Sequence, residues 1–243
     1  MKNLLQLFFL ILAITFLNSC GNKPEESETK KLDTAYQKIS EDSLKAYESD
    51  STFLDIDKKY AVKSGVMIQK TAVMGFSQTI TTHFDDWGNK QISEIDDEIM
   101  GRRIHNKTIS VGNMQYEIDL LKKTGTKKKV NLKSHENLNF TQLTKEMIDF
   151  FNIQKLDTEK ILDKECTVYN LNYEDPNDGN LIEAKVWVWK GISLKLETKV
   201  MGVFGASIET TSLKTNIIIP DEVFAIPEGI KWTEVNVNVN LDI

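Results

Sequence analysis

Sulfur and imidazole groups that could act as nucleophiles, bases or metal ligands are few in the body of the chain: Cys166, His83, His105 and His135. A nucleophilic cysteine needs a nearby base and a third group that orients the base. Cys166 instead begins an alternating, strand-like stretch (166–171), which predicts a small buried hydrophobic side chain. The histidines occur singly, and a zinc site needs several ligands, so no metal site is predicted.

Carboxylates gather at two places. Asp85, Asp86 and Asn89 could be calcium ligands, but the segment lacks the alternating acids and the distal glutamate of a calcium-binding loop, so a β-turn is predicted. The second group follows a strand pattern and predicts a solvated strand face rather than a glycosidase acid pair: Glu94, Asp96, Asp97 and Glu98. The sequence has no phosphate-binding glycine loop and no catalytic triad spacing. We therefore expect neither a cofactor nor an enzymatic activity.

The other cysteine, Cys20, follows a segment typical of exported proteins. Lys2 gives a positive start, and residues 4–17 form an apolar run broken by Gln6 and Thr15. As a helix this run would rise about 21 Å, which is less than the roughly 30 Å of a bilayer core. No charged stop signal follows it. The pattern predicts a signal peptide over residues 1–19 rather than a membrane span.

Leu17-Asn18-Ser19-Cys20-Gly21 resembles a bacterial lipobox. Asn18 departs from the commonest pattern, which has a smaller residue there. The resemblance implies cleavage before Cys20, diacylglycerol on its thiol, and attachment to a membrane through acyl chains without a transmembrane helix. Lipidation would leave Cys166 as the only thiol of the mature chain, so no intramolecular disulfide could form. The alternative is an ordinary secretory signal with an incidental cysteine.

Residues 20–57 are rich in Glu, Lys, Ser, Thr and Asp and predict a flexible, mildly acidic tether. Lys23-Pro24-Glu25-Glu26 resembles the signals that route Bacteroidetes lipoproteins to the cell surface. Three triplets resemble the O-glycosylation sites of that phylum: Asp33-Thr34-Ala35, Asp42-Ser43-Leu44 and Asp50-Ser51-Thr52. Any linker rich in Asp and Ser yields such triplets, which leaves both interpretations open. The expected location is the outer membrane, facing the periplasm or the cell surface.

Charge restricts the partners. The net charge of −6 gives no electrostatic support to nucleic-acid binding. Six lysines without an acid lie between Lys122 and Lys133. This run predicts a solvated loop, and approach to anionic lipid head groups is the alternative.

Residues 58–243 predict a single domain dominated by strands, because apolar and polar residues alternate with a period of two. The clearest alternation has valines and Leu241 on one face and asparagines on the other, over residues 235–241. Trp187 and Trp189 alternate with Val186 and Val188, and Lys190-Gly191 predicts a tight hairpin turn into a strand over 192–200. Further predicted strands cover 60–71, 75–84, 90–99, 103–111, 114–121, 165–173 and 207–217.

A helical period interrupts the strands in the middle of the chain. From Thr141 onward, apolar residues follow the spacing of an amphipathic helix, and a second short helix could begin at Asp157. We therefore predict an α+β, β-rich fold: a curved antiparallel sheet whose concave face is covered by mid-chain helices.

Several segments together resemble an uncharacterised family of Bacteroidetes lipoproteins that is similar in architecture to the LolA, LolB and LppX carriers. They are Ser64-Gly65-Val66, residues 84–90, residues 123–127, residues 185–195 and Phe224-Ala225-Ile226-Pro227-Glu228-Gly229. Ser193 stands where a proline is common in that family. The resemblance implies a half-barrel sheet with helical lids around an apolar cavity for acyl chains. It implies no catalytic residues.

An acyl chain offers no hydrogen bonds, so its site must be an apolar concavity. The candidate lining residues come from the predicted helix and from inward strand positions: Met147, Phe150, Phe151, Val186, Val188, Leu194 and Leu196. The same side chains could instead fill an ordinary core. Trp187 and Trp189 would form a stripe on the opposite face, and exposed paired tryptophans would indicate a partner surface.

Three classes of function follow. A carrier or sensor of lipids or other hydrophobic molecules predicts an apolar cavity between sheet and helices. An adhesive or scaffolding surface lipoprotein predicts a filled interior and an exposed aromatic stripe. A hydrolase, which we rank last, predicts a polar cleft with perturbed pKa values.

Overall fold

A computed structural model of the chain describes residues 58–73, 75–132, 134, 137–175 and 178–234. Several predictions fall outside the described residues: the signal peptide, Cys20, the tether, His135 and the C-terminal strand over 235–241. The described part is strongly β-rich, as the period of two predicted.

One curved, open sheet organises the described residues. Its strand order is β12-β6-β5-β4-β3-β2-β1-β11-β10-β9-β8-β7, so β12 and β7 are the edges. Neighbouring strands are antiparallel except β12 and β6, which are parallel. The strands are β1 (Gly65–Val73), β2 (Phe76–Asp85), β3 (Lys90–Ile99), β4 (Arg102–Val111), β5 (Met114–Asp119), β6 (Thr124–Lys129), β7 (Gln154–Ile161), β8 (Lys164–Glu174), β9 (Leu181–Trp189), β10 (Ile192–Val200), β11 (Val203–Thr215) and β12 (Lys231–Glu234).

The predicted strands and turns are confirmed where alternation was strong. The strand predicted over 90–99 coincides with β3, and β9 and β10 form the predicted hairpin. Lys190 has φ of 50° and Gly191 of 81°, the left-handed pair that a two-residue hairpin turn requires. A short 3₁₀ turn over Asp86–Gly88 joins β2 to β3 at the predicted β-turn.

Two predictions are wrong. The second helix at Asp157 does not form, because residues 154–161 are the edge strand β7, which pairs with β8. The basic run is not a loop, because Thr124–Lys129 forms β6 between β5 and β12. Lys128 and Lys127 pair with Glu117 and Glu234 at 3.3 and 2.8 Å, which places carboxylates beside these lysines on the sheet.

The predicted amphipathic helix is α1 (Lys145–Phe151), and it is the one α-helix among the described residues. It begins later than Thr141, because the Thr144 hydroxyl accepts a hydrogen bond from the Met147 amide at 3.3 Å and caps the first turn. Asn152, with φ of 45°, ends it. Met147 and Phe151 are buried, and Phe151 packs into a cluster formed by residues of the sheet.

The face of the sheet against which Phe151 packs is called the covered face here. A single row of cross-strand pairs follows it over five strands: Val186, Leu196, Ile208, Thr71 and Gln78. Residues paired in an antiparallel ladder point to the same side of a sheet. The row is apolar on β9, β10 and β11 and polar on β1 and β2, so the covered face has an apolar half and a polar half.

Neighbouring rows follow this division only in part, because Met67 and Phe84 are apolar on β1 and β2, and Thr198 and Thr210 are polar on β10 and β11. Pairing places Met67, Thr82, Ser93 and Thr108 in one row and Phe84 with Gln91 in another. The buried polar residues on the covered face are Gln69, Thr71, Gln78, Thr82, Gln91, Ser93, Thr108, Gln115, Thr198 and Thr210. Buried polar groups are costly unless they find hydrogen-bond partners, and their concentration on one face marks it as more than a packing surface.

Candidate functional site

A cavity of about 90 Å³ lies where the two halves of the covered face meet. The two strands on either side of β11 contribute to its wall, β1 with Gln69 and β10 with Leu196. Two segments outside the sheet also line it, Lys59-Tyr60 and residues 138–140. We call residues 138–141 the cover segment. The Thr141 hydroxyl donates a hydrogen bond to the Lys58 carbonyl, so the cover segment is joined to the start of the described domain.

The polar wall is built around one chain of hydrogen bonds. The Lys59 ammonium donates to Gln91 Oε1 at 3.1 Å, and Gln91 Nε2 donates to the Tyr60 hydroxyl oxygen at 2.5 Å. Burial lowers the pKa of Lys59 to about 8, and it raises the pKa of Tyr60 to about 12. Near neutral pH the lysine is therefore a partly buried cation and the tyrosine is neutral.

Uncharged polar groups continue this wall. The hydroxyls of Thr82 and Ser93 lie 2.8 Å apart and share a hydrogen bond. Gln69 Nε2 lies 3.2 Å from the Thr210 hydroxyl and 3.3 Å from the Ser193 carbonyl, and it can donate to both. These groups hold one another in place, which gives the wall a fixed set of donors and acceptors.

The apolar wall comes from β8, β9 and β10 and from the cover segment. Leu171, Tyr173, Ala184, Val186 and Leu196 line the cavity on the sheet side, and Leu138 and Phe140 face them. The Phe140 ring lies 5.1 Å from the Tyr169 ring, and the Phe151 ring lies 5.0 Å from the Tyr173 ring. Aromatic contacts at these distances stabilise the cover segment and α1 on the sheet.

The structure separates the residues predicted to line a lipid site. Val186 and Leu196 line the cavity. Phe151 and Val188 belong to the buried cluster that also contains Val186 and Leu196. Phe150 packs against this cluster, and Met147 is buried on α1.

Leu194 does not itself line the cavity but belongs to a second buried cluster, which includes Trp187 and also Tyr60 and Met67 from the cavity lining. Pairing between β9 and β10 shifts by one residue between Ser193 and Lys195, beside Leu194, although burial still alternates through Ile192, Leu194 and Leu196. Whether any of the predicted residues contacts a ligand stays a prediction.

The sequence prediction did not include the polar wall, namely Lys59, Tyr60, Gln69, Thr82, Gln91 and Ser93. A signal for part of it was present. On β3, the uncharged Gln91 and Ser93 alternate with Lys90 and Glu94, whereas both faces of β2 are uncharged before its last residue, Asp85, and give no such contrast. A period of two made from amides and hydroxyls indicates a buried polar face, because a solvated face usually has charges.

The sulfur and imidazole groups lie apart from the cavity wall. Cys166 is fully buried, as predicted, and burial raises the pKa of its thiol, which disfavours a reactive thiolate. His105 Nε2 lies 2.6 Å from Glu94 Oε1, within a group of ion pairs on the side of the sheet opposite the covered face. Among the described residues, no group of His, Cys, Asp and Glu side chains could hold a metal ion.

Trp187 is on the face opposite Val186, as predicted, but it is buried, with 3% of its surface exposed. Its indole N–H donates to Glu159 at 2.8 Å, and the ammonium groups of Lys185 and Lys195 lie 4.6 and 4.5 Å from the ring centre. Lysines and a carboxylate thus shield this ring, and the exposed tryptophan pair expected of an adhesive surface is not present at Trp187.

No protein-family model matches the sequence, and no curated protein matches it at a significant level. Within the described parts of the chain, no helix is both long and apolar enough to cross a membrane.

Solved structures with related backbones include an uncharacterized conserved protein from Thermus thermophilus, which is 9% identical. That match covers 79% of this chain and 99% of the other, with a TM-score of 0.50. A chain of the Pseudomonas aeruginosa MucA/MucB complex is 11% identical over 73% of this chain, with a TM-score of 0.45. The match covers 60% of that chain, so the chain spans less than two thirds of its length.

A putative outer membrane lipoprotein-sorting protein domain from Vibrio parahaemolyticus is 13% identical. The match covers 70% of this chain and 93% of that domain, with a TM-score of 0.36. The two lower TM-scores bear on neither fold nor function. At 9% identity, the similarity to the Thermus protein supports the overall architecture of the chain and nothing more specific.

Proposed function

We propose that this chain is a lipid-anchored lipoprotein of the bacterial outer membrane whose domain binds or carries a lipid or other hydrophobic ligand, without enzymatic activity. The observation that supports it best is the cavity on the covered face, with an apolar wall on β8 to β10 and the cover segment opposite. The resemblance of the sequence to LolA-type carriers and the lipobox at Cys20 point the same way. In this proposal α1 and the cover segment act as the lid.

The lid must move for a ligand to bind. A cavity of about 90 Å³ is smaller than the roughly 300 to 1,000 Å³ of typical small-molecule sites. An acyl chain would therefore displace Leu138 and the Phe140 ring of the cover segment from the apolar wall and take their place. The burial lost by Leu138 and Phe140 would be replaced by burial of the ligand, so the exchange costs little apolar contact.

The alternative is an adhesive or scaffolding lipoprotein, and one surface favours it. The hairpin tip between β10 and β11 exposes apolar side chains, with Met201, Val203 and Phe204 at 64%, 70% and 56% of their surface. Apolar side chains that are neighbours on a surface often mark a contact with another molecule. This tip would serve a protein partner, whereas the cavity would serve a small hydrophobic ligand.

The test uses the full chain with Cys20→Ala, purified without detergent. We expect solvent extraction and mass spectrometry to reveal a copurified lipid, and a fluorescent fatty acid to bind. Ala184→Leu adds volume to the cavity wall and should weaken probe binding, whereas Val203→Leu at the exposed tip should not. A protein that is folded but neither copurifies with lipid nor binds the probe would exclude the carrier proposal.

A further inference from the structure

The described domain begins at one end of the sheet, where three turns meet. The Tyr60 amide donates to the Trp87 carbonyl at 2.8 Å, in the turn between β2 and β3. The next amide, that of Ala61, donates to the Lys190 carbonyl at 2.9 Å, in the turn between β9 and β10. The turn between β7 and β8 lies at the same end, because the start of β8 pairs with the end of β9. We call residues 58–63 and these three turns the tether end.

Two tryptophans at the tether end, Trp87 and Trp189, each have two lysine ammonium groups over the ring. The distances from the ring centres are 4.3 and 5.9 Å for Trp87 and 5.2 and 5.0 Å for Trp189. In the order of these distances, the lysines are Lys58, Lys63, Lys164 and Lys190. Three of the four are exposed, and none forms an ion pair with another described residue. The rings therefore hold these charges in place at the surface without neutralising them.

The tether end is positively charged, although the net charge of the whole chain is −6. With Asp221, which pairs with Lys90, it has eight lysines and five carboxylates, a net charge of +3, over residues 58–63, 85–90, 160–165, 189–192 and 214–216. The hairpin turns at the opposite end have three cations and four carboxylates, over residues 98–103, 174–181 and 199–203. Such a contrast would orient the domain in front of an anionic surface.

The cavity is adjacent to the tether end. Lys59 and Tyr60 line it, and so does Gly191 from the turn between β9 and β10. A domain that rests on a bilayer by its tether end therefore has the cavity beside the lipid surface. A ligand that leaves or enters the bilayer would then have a short distance to cross.

Resting on the proposed lipid anchor, we infer that the tether end docks on the surface of a bilayer that contains anionic lipid. The ammonium groups of Lys58, Lys63 and Lys190 lie at the level of the lipid phosphates. The indole rings of Trp87 and Trp189 lie behind them, at the interface between head groups and water.

Three observations favour a bilayer over an acidic protein as the partner. Half-buried indole rings beside ammonium groups match the amphipathic layer of a membrane interface. Leu162, in the turn between β7 and β8, is 39% exposed and adds an apolar side chain at this end. In the proposed function an acylated Cys20 precedes the tether end and keeps it within reach of a membrane.

Vesicle sedimentation tests the docking with the mature chain, residues 20–243, in which Cys20→Ala removes the site of lipidation. Vesicles of phosphatidylcholine are compared with vesicles in which about one third of the lipid is phosphatidylglycerol. We expect at least about tenfold tighter binding to the anionic vesicles at low salt. Salt at about 1 M, where the Debye length is about 3 Å, should release the protein.

Substitutions assign the binding to one end of the sheet. Lys63→Gln with Lys190→Gln should weaken binding to anionic vesicles by about fivefold for each lysine. Arg102→Gln with Lys199→Gln is the matched control, because it removes the same charge from two exposed residues at the opposite end. It should change binding little. Lys63→Arg with Lys190→Arg should retain binding, which shows that the loss comes from charge and not from misfolding.

The outcomes are separate from those of the carrier proposal. Equal binding to the two kinds of vesicle, or equal losses in the two glutamine variants, would overturn docking by the tether end. Absence of vesicle binding by the folded parent chain would overturn it as well. The carrier proposal fails on a different result, namely that no lipid copurifies and no fluorescent fatty acid binds.

Discussion

Gln78 lies on the covered face with 2% of its surface exposed, and neither atom of its amide has a hydrogen-bond partner in the described part of the chain. A buried polar group without a partner costs about 1 to 3 kcal/mol. We expect Gln78→Leu to raise the free energy of unfolding by about 1 kcal/mol, measured by urea denaturation. Gln69→Leu is the control and should lower it, because Gln69 bonds Thr210 and Ser193. A loss of stability in Gln78→Leu would mean that the amide does have a partner.

Lys59 makes stability depend on pH in the alkaline range. Its pKa is about 8 in the folded chain and about 10.4 when unfolded, so between these values the unfolded chain binds a proton that the folded chain does not. The free energy of unfolding contributed by this group therefore rises with pH across that window and is lost as the pH falls through 8.

This dependence can be measured by urea denaturation between pH 7.5 and about 9.5, below the range in which tyrosines ionise. The wild type should gain stability relative to Lys59→Met as the pH rises. Above about pH 10 both proteins should lose stability, because burial raises the pKa of Tyr60 and Tyr173 to about 12 and their neutral forms stabilise the fold, while the difference between the two proteins should stay level. A difference between the two proteins that is constant with pH would contradict a desolvated Lys59.

Single residues were the hardest part to predict from the sequence. Val186 and Leu196 could be placed on one face because strict alternation fixes the side of a strand. Leu194 is buried as the alternation predicts, but it does not line the cavity, and the shift in pairing beside it depends on how two strands meet and leaves no mark in local hydrophobicity. Lys59 reaches the cavity through the fold of a segment before the first strand, and its position depends on contacts distant in sequence, such as Gln91.

At the scale of elements, the β9–β10 turn supports the cover segment directly. A Cβ on Gly191 would lie 2.5 Å from the Thr141 methyl and 2.6 Å from the Lys59 carbonyl oxygen. Gly202, in the next hairpin turn, has a similar φ of 75° with nothing within 4 Å of its Cβ position. Both turns need a left-handed residue, but only Gly191 also needs the space.

These two glycines form a matched pair of substitutions. Gly202→Ala should cost about 1 kcal/mol of unfolding free energy from backbone strain alone. Gly191→Ala should cost roughly 3 kcal/mol, because overlap with the cover segment adds to the strain. Denaturant unfolding measures both values. Equal losses would show that the cover segment does not press on the turn, and the lid would then lack its support.

Strands were predictable where one face of the strand is buried and the other is exposed to solvent. β3 and β10 alternate cleanly, and their existence followed from the sequence. β7 did not, because residues 154–160 are all exposed at the edge of the sheet, so no apolar period distinguishes it from a short helix. β6 could not be recognised as a strand because its lysines give no apolar alternation. These lysines pair with Glu117 and Glu234 on neighbouring strands rather than with residues of their own segment.

For the whole molecule, the sheet places apolar and polar residues on the same covered face. Apolar residues predominate on β8 to β11, whereas amides and hydroxyls alternate with apolar residues on β1 to β4. Neither half is unusual as a strand pattern. Their meeting at the cavity results from the strand order, in which β1 neighbours β11, so residues about 140 positions apart in sequence, such as Gln69 and Thr210, become neighbours. Such a junction is invisible to local sequence patterns.

The anchor is the remaining prediction at this scale, and it rests on Cys20, outside the described residues. Three acyl chains on one mature lipoprotein would hold it firmly, since each buried CH₂ contributes about 0.8 kcal/mol. We expect Cys20→Ala to abolish palmitate labelling and to move the protein from the membrane fraction to the soluble periplasmic fraction. Cys166→Ala is the matched control and should change neither labelling nor fractionation, because the Cys166 thiol is buried in the sheet. Continued labelling of Cys20→Ala would refute the lipobox prediction. Loss of labelling with retained membrane association would instead indicate a second attachment to the membrane. The exposed hairpin tip at Met201, Val203 and Phe204 is the first surface to mutate in that case.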